Sequence, residues 1–159
     1  MAPPSKARID PGAPTGAQAE WPQSTAQGFR LAFDSGEHQT RAALACLCNH
    51  MQACGLDSEV MSTVELVVAE VFNNITEHAY PGVNGPILLQ VQFEPDSVVC
   101  MFTDSGAPFA RGAPPDGKLI PPLALPEGGF GWYIIRALSS DLDYERSGST
   151  NRMRLRIRV

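Results

Sequence analysis

Residues 65–80 read ELVVAEVFNNITEHAY, and this stretch decides the fold. Val64, Val67, Val68, Val71, Phe72 and Ile75 recur at helical spacing, so the segment forms a helix with one apolar face. Asp57 or Ser58 caps its free amides at the start, and Pro81-Gly82 stops it at about Tyr80. Glu70, Asn74 and His78 follow at four-residue steps. A helix turns about 100° per residue, so the three form one stripe at the border of the apolar face, where polar groups look into a cleft. An Asn amide oxygen is a hard ligand of the kind Mg²⁺ accepts when phosphates and water fill its other sites. A Glu one turn away can take a proton from an attacking hydroxyl or water. On spacing alone such a pair is more often a solvated flank, and His78 can equally cap carbonyls at the helix end. The stripe needs support from elsewhere in the chain.

Before this helix, GFRLAFDS from Gly28 sets Phe29, Leu31 and Phe33 against Arg30, Ala32 and Asp34, the period-two pattern of a half-buried strand. Residues 38–54 hold no breaker and form a first helix that Gly55 closes. After the turn PGVNG, the runs ILLQVQFE and SVVCMFTD meet across Pro95-Asp96 as a hairpin. Residues 110–127 carry five prolines and no period, which suggests a functional lid. A third helix follows from about Trp132. DLDYERS and NRMRLRIRV then make a final hairpin, with Met153, Leu155, Ile157 and Val159 alternating against arginines. Strands that are not interleaved one by one with helices predict an α+β two-layer sandwich, a mixed β-sheet covered on one face by helices.

Composition bounds the rest. At 159 residues and 43% hydrophobic content the chain suits one domain. Residues 1–26 are rich in Pro, Ala, Gly and Ser with almost no aliphatic side chains, which predicts a flexible arm ahead of a domain over 27–159. The longest apolar runs fall well short of the roughly 20 residues of a membrane span, and no apolar signal core follows the N-terminus. A cytoplasmic protein is expected. The net charge of −5 argues against a nucleic-acid surface. Cys46, Cys48, Cys54 and Cys100 form no CxxC pair and have no histidines at zinc spacing, so they are expected to be small reduced core residues.

Two further motifs bear on chemistry. Asp104-Ser105-Gly106-Ala107-Pro108-Phe109 closes a strand. A carboxylate there can accept a hydrogen bond from an exocyclic amine, and Gly106 permits close backbone approach or positive φ, although Asp-Ser-Gly is also a common turn. Gly128-Gly129-Phe130-Gly131 opens the third helix, where free amides and the helix dipole suit phosphate oxygens. GxGxxG is not met, and the chain contains no P-loop lysine motif.

In this order the helix stripe, DSGAPF and the glycine cluster resemble the N box and the two glycine boxes of the GHKL ATPase superfamily, whose Bergerat fold is shared by histidine-kinase ATPase domains, gyrase-type topoisomerases and MutL. Within it the chain is most similar to the bacterial anti-sigma factor serine kinases of partner-switching systems. ELVVAEVFNNITEHAY resembles their Glu-x-x-x-Asn-x-x-x-His-Ala-Tyr helix, and EGGFGWYIIRALSSDLDYERSGSTNRMRLRI their closing glycine box, helix and hairpin, so the likeness covers about residues 28–159.

That resemblance implies a site for ATP or ADP with Mg²⁺. Asn74 would hold the metal, and Glu70 would be the catalytic base that activates a serine hydroxyl. Asp104 would take the adenine amine with Gly106 and Pro108 beside it, while Gly129 and Gly131 would approach the phosphates. His78 would support the site, and Lys118 and Arg111 are the lid's cations. The implied partners are a serine-bearing anti-anti-sigma protein of the STAS type and a sigma factor, with Arg41 on the first helix as a partner contact and a homodimer as the assembly. The chain departs from the family pattern at Trp132, where leucine is usual, and at Asn151, where many relatives carry a threonine near the adenine. Two other readings are a non-catalytic nucleotide-binding module that binds a partner protein, and a detached ATPase domain of a two-component-like system.

Overall fold

Strand β3 (Ser97–Asp104) is the middle of a five-stranded sheet ordered β1-β2-β3-β5-β4. The computed structural model describes residues 27–118 and 130–159. The arm read over 1–26 lies outside the described residues, as do the second half of the lid and Gly129. In chain order β1 (Gly28–Asp34) leads to helices α1 (Glu37–Ala53) and α2 (Ser58–Asn74), then to a π-helical turn (Ile75–Ala79). The hairpin β2 (Pro86–Glu94) and β3 follows, then α3 (Phe130–Leu138), β4 (Asp141–Ser147) and β5 (Thr150–Arg158).

Every pairing in this sheet is antiparallel, so the expected mixed sheet is corrected. The reason lies in the last hairpin. α3 returns the chain to the far edge as β4, and the tight turn at Gly148 folds β5 back between β4 and β3, antiparallel to both. α1 and α2 stand where the sequence places them. Gly55, with φ of 73°, ends the first, and the Asp57 carboxylate accepts from the Glu59 amide at 2.8 Å to cap the second. α2 does not stay α-helical to Tyr80. Its last turn widens into the π form, closed by Tyr80 N–H donating to the Ile75 carbonyl at 3.1 Å.

Alternation supplies one buried face of the sheet, and α1, α2 and α3 pack on it. Val64, Val67, Val68, Val71 and Phe72 of α2 are completely buried, together with Leu47 and Met51 of α1 and Ile135 of α3. Burying aliphatic and aromatic side chains of this size contributes about 1.5–3 kcal/mol each before ordering entropy is subtracted. Val159 does not continue the β5 alternation into the core and is half exposed. Of the cysteines, just Cys100 on β3 is fully buried, whereas Cys46 is exposed and Cys48 and Cys54 are intermediate. The α1 cysteines lie off the stripe of Ala43, Leu47 and Met51 that meets the core.

Register carries this face to the site. Across the sheet, Phe33 pairs with Ile87, Ile87 with Asp104, Asp104 with Asn151 and Asn151 with Arg146. This row starts in apolar side chains and turns polar at the central strand, where the sheet meets the end of α2.

Candidate functional site

Asp104 and Asn151 of that row form the floor of a cavity of about 450 Å³ between the sheet, the end of α2 and the start of α3. Asn74, His78, Asp104, Pro108, Trp132 and Asn151 are among its lining residues. Four side chains that the sequence singles out for one nucleotide, Asn74, His78, Asp104 and Pro108, therefore share one wall system. Phe109 stands against both Trp132 and Tyr144, edge to face at 5.4 and 4.8 Å between ring centroids, and closes the apolar side. Trp132 is thus a wall of the cavity as well as part of the core.

Asp104 is the last inward position of β3 and is buried. Its Oδ1 accepts from the Gly106 amide at 2.9 Å and from Asn151 Nδ2 at 2.7 Å. Both bonds fall on the same oxygen. Asn151 is itself saturated: its Oδ1 accepts from the Tyr144 hydroxyl and from Arg146, each at 2.7 Å, while Nδ2 also donates to the Gly106 and Ala107 carbonyls at 3.3 and 3.2 Å. Tyr144 and Arg146 escape a linear reading of the sequence. Asn151 was noticeable there as a departure, and the signal that it points inward is the β5 alternation carried one step back from Met153.

Gly106 makes a close approach, and its partner is the helix end. A Cβ on it would lie 2.4 Å from the Ala79 carbonyl oxygen, and the next amide, of Ala107, donates to that same oxygen at 2.8 Å. Its φ is not positive. Tyr80 fixes the other side of this junction, donating from its hydroxyl to the Pro86 carbonyl and accepting from the Ser105 amide, both at 2.8 Å. Burial raises the Tyr80 phenol above its usual pKa, the Ser105 amide opposes, and the charges of Asp104 and Asp34 add to the rise.

Beside Asn74, which lines the cavity, Glu70 and Asn74 converge on Gly131, and neither Glu70 nor Gly131 is itself a lining residue. A Cβ there would stand 2.6 Å from Glu70 Oε2 and 3.7 Å from Asn74 Nδ2. The glycine makes room for a carboxylate. Asn74 Nδ2 is buried without a hydrogen-bond partner among the described residues, an amide left with capacity beside the cavity. A free Nδ2 donor suits a phosphate oxygen, and the Oδ1 of the same amide is the atom that would hold Mg²⁺ together with phosphates and water. No cluster of three or more His, Cys, Asp or Glu among the described residues could hold an ion by itself, and Mg²⁺ does not need one.

The remaining predicted positions do not meet here. Lys118 is exposed, pairs with Asp116 at 3.7 Å and does not line the cavity. The lid before it is pinned on α3, where Arg136 donates to the Pro115 carbonyl at 3.2 Å and Gly117, with φ of 66°, lies against the Trp132 backbone. Arg41 stands on α1 in an exposed pair with Glu37 at 2.6 Å.

A family model of the histidine kinase-like ATPase domain matches residues 33–157, from β1 to the end of the last strand. The chain belongs to that family. Among solved structures, this ATPase domain is similar to the crystal structure of the RsbU and RsbW domains of Rv1364c from Mycobacterium tuberculosis, with a TM-score of 0.57 and 16% identity over 82% of this chain. The likeness covers 31% of that chain, and at this identity it shows a shared fold. A comparison with curated proteins finds no match. No helix among the described residues is long and apolar enough to cross a membrane.

Proposed function

We propose that this ATPase domain binds Mg·ATP and transfers its γ-phosphoryl group to a serine of an anti-anti-sigma protein of the STAS type, and that it sequesters a sigma factor when that partner is phosphorylated. One observation carries the reading. Asn74 lines the same cavity as a buried Asp104 carboxylate held by one oxygen, and Glu70 comes together with Asn74 at Gly131. A hard amide ligand and a hydrogen-bond acceptor thus share one cavity, with a candidate base beside the amide. The family supplies ATP as the ligand class. The RsbU and RsbW domains named in the solved structure support partner switching as the setting.

Each residue then has a task. Asp104 accepts from the exocyclic amine of adenine, and Phe109, Trp132 and Met153 offer apolar surface to the base. Asn74 holds Mg²⁺, which when bound neutralises charge on the phosphates. Glu70 takes the proton from the serine hydroxyl as it attacks, a role that requires hydrogen-bond reach of the incoming oxygen and a carboxylate free to accept. Gly131 leaves that carboxylate its place. His78 supports the phosphate end from the rim, and Pro108 flanks the base. Gly129 and Lys118 are assigned to the phosphates by the family resemblance, Lys118 on leaving its pair with Asp116. Arg41 contacts the protein partners, and the domain works as a homodimer.

Thermal unfolding with and without ADP and Mg²⁺, for wild type and Asp104→Asn, tests the pocket. Ligand at about 100 times its dissociation constant adds about 2.7 kcal/mol, several degrees for a domain of this size. The expected result is a shift in wild type that shrinks in the mutant. With ATP and a STAS protein, the product is an acid-stable phosphoserine. ATP turnover that leaves an acid-labile phosphohistidine would replace the serine kinase with a two-component-like ATPase.

A further inference from the structure

We infer that Arg146 is a positioning residue that sets nucleobase selectivity from outside the cavity, acting through Asn151 on Asp104. The inference rests on the nucleotide reading above and concerns a residue that does not line the cavity at all.

The geometry is a relay of donors across one row of the sheet. Arg146 NH1 donates to Asn151 Oδ1 at 2.7 Å and to the Gly106 carbonyl at 2.8 Å, and its Nε donates to the Gly148 carbonyl at 3.1 Å. The guanidinium therefore ties the β4–β5 turn, the loop after β3 and the Asn151 amide into one unit. An Arg fork can do this because its donors are fixed in a plane, which a lysine ammonium cannot copy.

The relay has one consequence for Asn151. Two donors, Arg146 and Tyr144, meet its oxygen, so the amide nitrogen must face the other way, toward three acceptors that include Asp104 Oδ1. Asn151 is left with nothing to offer a ligand, even though it lines the cavity. Its amide instead engages the same oxygen of Asp104 that takes the Gly106 amide. Among the described residues no hydrogen bond reaches Oδ2. The floor of the cavity then presents an acceptor where a base edge arrives. A base bearing an amine at that edge is bound, and one bearing a carbonyl sets oxygen against a carboxylate.

Without Arg146 the Asn151 oxygen keeps just the Tyr144 hydroxyl and the Gly106 carbonyl loses a donor, so the amide and the loop that hold Asp104 Oδ1 are less firmly fixed. A carboxylate that can shift discriminates less sharply between an amine and a carbonyl at the base edge. Selectivity, more than binding, is the quantity at stake.

The test is calorimetric titration of wild type, Arg146→Ala and Tyr144→Phe with Mg·ADP and with Mg·IDP, whose base carries a carbonyl in place of the amine. Arg146 is exposed, so its removal leaves the core intact, and a thermal scan of each free protein checks this. Wild type is expected to favour ADP over IDP by on the order of 10²-fold, the range for a hydrogen bond to a charged group. In Arg146→Ala the ratio is expected to fall about tenfold, with Arg146→Lys failing to restore it and Tyr144→Phe falling less. An equal loss of ADP and IDP affinity in Arg146→Ala, at an unchanged ratio, makes Arg146 merely structural and overturns the inference alone. A wild type that binds neither nucleotide overturns the nucleotide reading and this inference with it.

Discussion

At the position where Gly131 lacks a side chain, the Glu70 carboxylate takes the space. Two glycines of this site therefore predict opposite behaviours. In Gly131→Ala the obstacle is the far end of a flexible Glu, which swings aside, so the melting temperature should change little. The base, however, is displaced, and a misplacement of about 1 Å can cost on the order of 10²-fold in transfer rate. Gly106→Ala meets the Ala79 carbonyl and Cβ, backbone-anchored atoms that cannot swing, and should cost about 1–3 kcal/mol in urea unfolding. Glu70→Gln keeps the shape and loses the base: nucleotide binding should persist while phosphoryl transfer to the STAS partner falls by on the order of 10²-fold. Unchanged turnover would remove Glu70 from the mechanism. At this scale the sequence was informative where chemistry lies in residue type at helical spacing, as for Glu70 and Asn74, or at a strand end, as for Asp104. It was silent on Tyr144 and Arg146, because their roles exist only through cross-strand register, which no local spacing encodes.

The element that most shapes the cavity is the π turn at Ile75–Ala79. Its extra residue per turn rotates the chain beyond Asn74, so His78 reaches the rim of the cavity without continuing the stripe of an ideal α-helix. Such a turn is invisible to hydrophobic periodicity, since five residues are too few to change the pattern. Tyr80 locks its end to β2 and to the loop after β3. Tyr80→Phe keeps the ring but leaves the Ser105 amide and the Pro86 carbonyl unpaired, and should cost about 1–3 kcal/mol by urea unfolding. It should also weaken the proposed ADP binding, because Tyr80 holds Ser105, the residue before the Gly106 amide that donates to Asp104. Loss of stability without loss of ADP affinity would show that the loop keeps its shape by the Ala107–Ala79 bond alone. The sheet was legible strand by strand from alternation. Its order was not: β5 between β3 and β4 follows from packing of α3 on α2, a long-range choice that fixes the antiparallel pattern.

For the whole molecule, Cys100 lies fully buried on the central strand of the sheet and reports on global unfolding. Burial pushes this thiol up to about 12, while an unfolded cysteine ionises near 9.0. The sign follows from proton counting. Between those values the unfolded chain releases a proton that the folded chain keeps, so the folded state binds more protons and stability falls as pH rises. The contribution is fully present below about pH 9 and is lost progressively toward pH 12. In urea titrations at stepped pH, wild type should lose stability across this window at up to about 1.4 kcal/mol per pH unit more steeply than Cys100→Ala. The alanine variant is the less stable of the two at neutral pH, because it leaves a small cavity. Tyr80 adds a fall of the same sign above about pH 10, in both proteins alike, so the difference between them isolates the thiol. Thiol labelling gives an independent reading: exposed Cys46 should react in the native state, and Cys100 only at the rate of global unfolding. A ligand that binds the folded state alone, the role proposed for Mg·ADP, should slow Cys100 labelling in proportion to the added stability while leaving Cys46 unchanged. Equal slowing at both thiols would mean that nucleotide acts on α1 locally, and the sheet would no longer be the unit that the ligand stabilises.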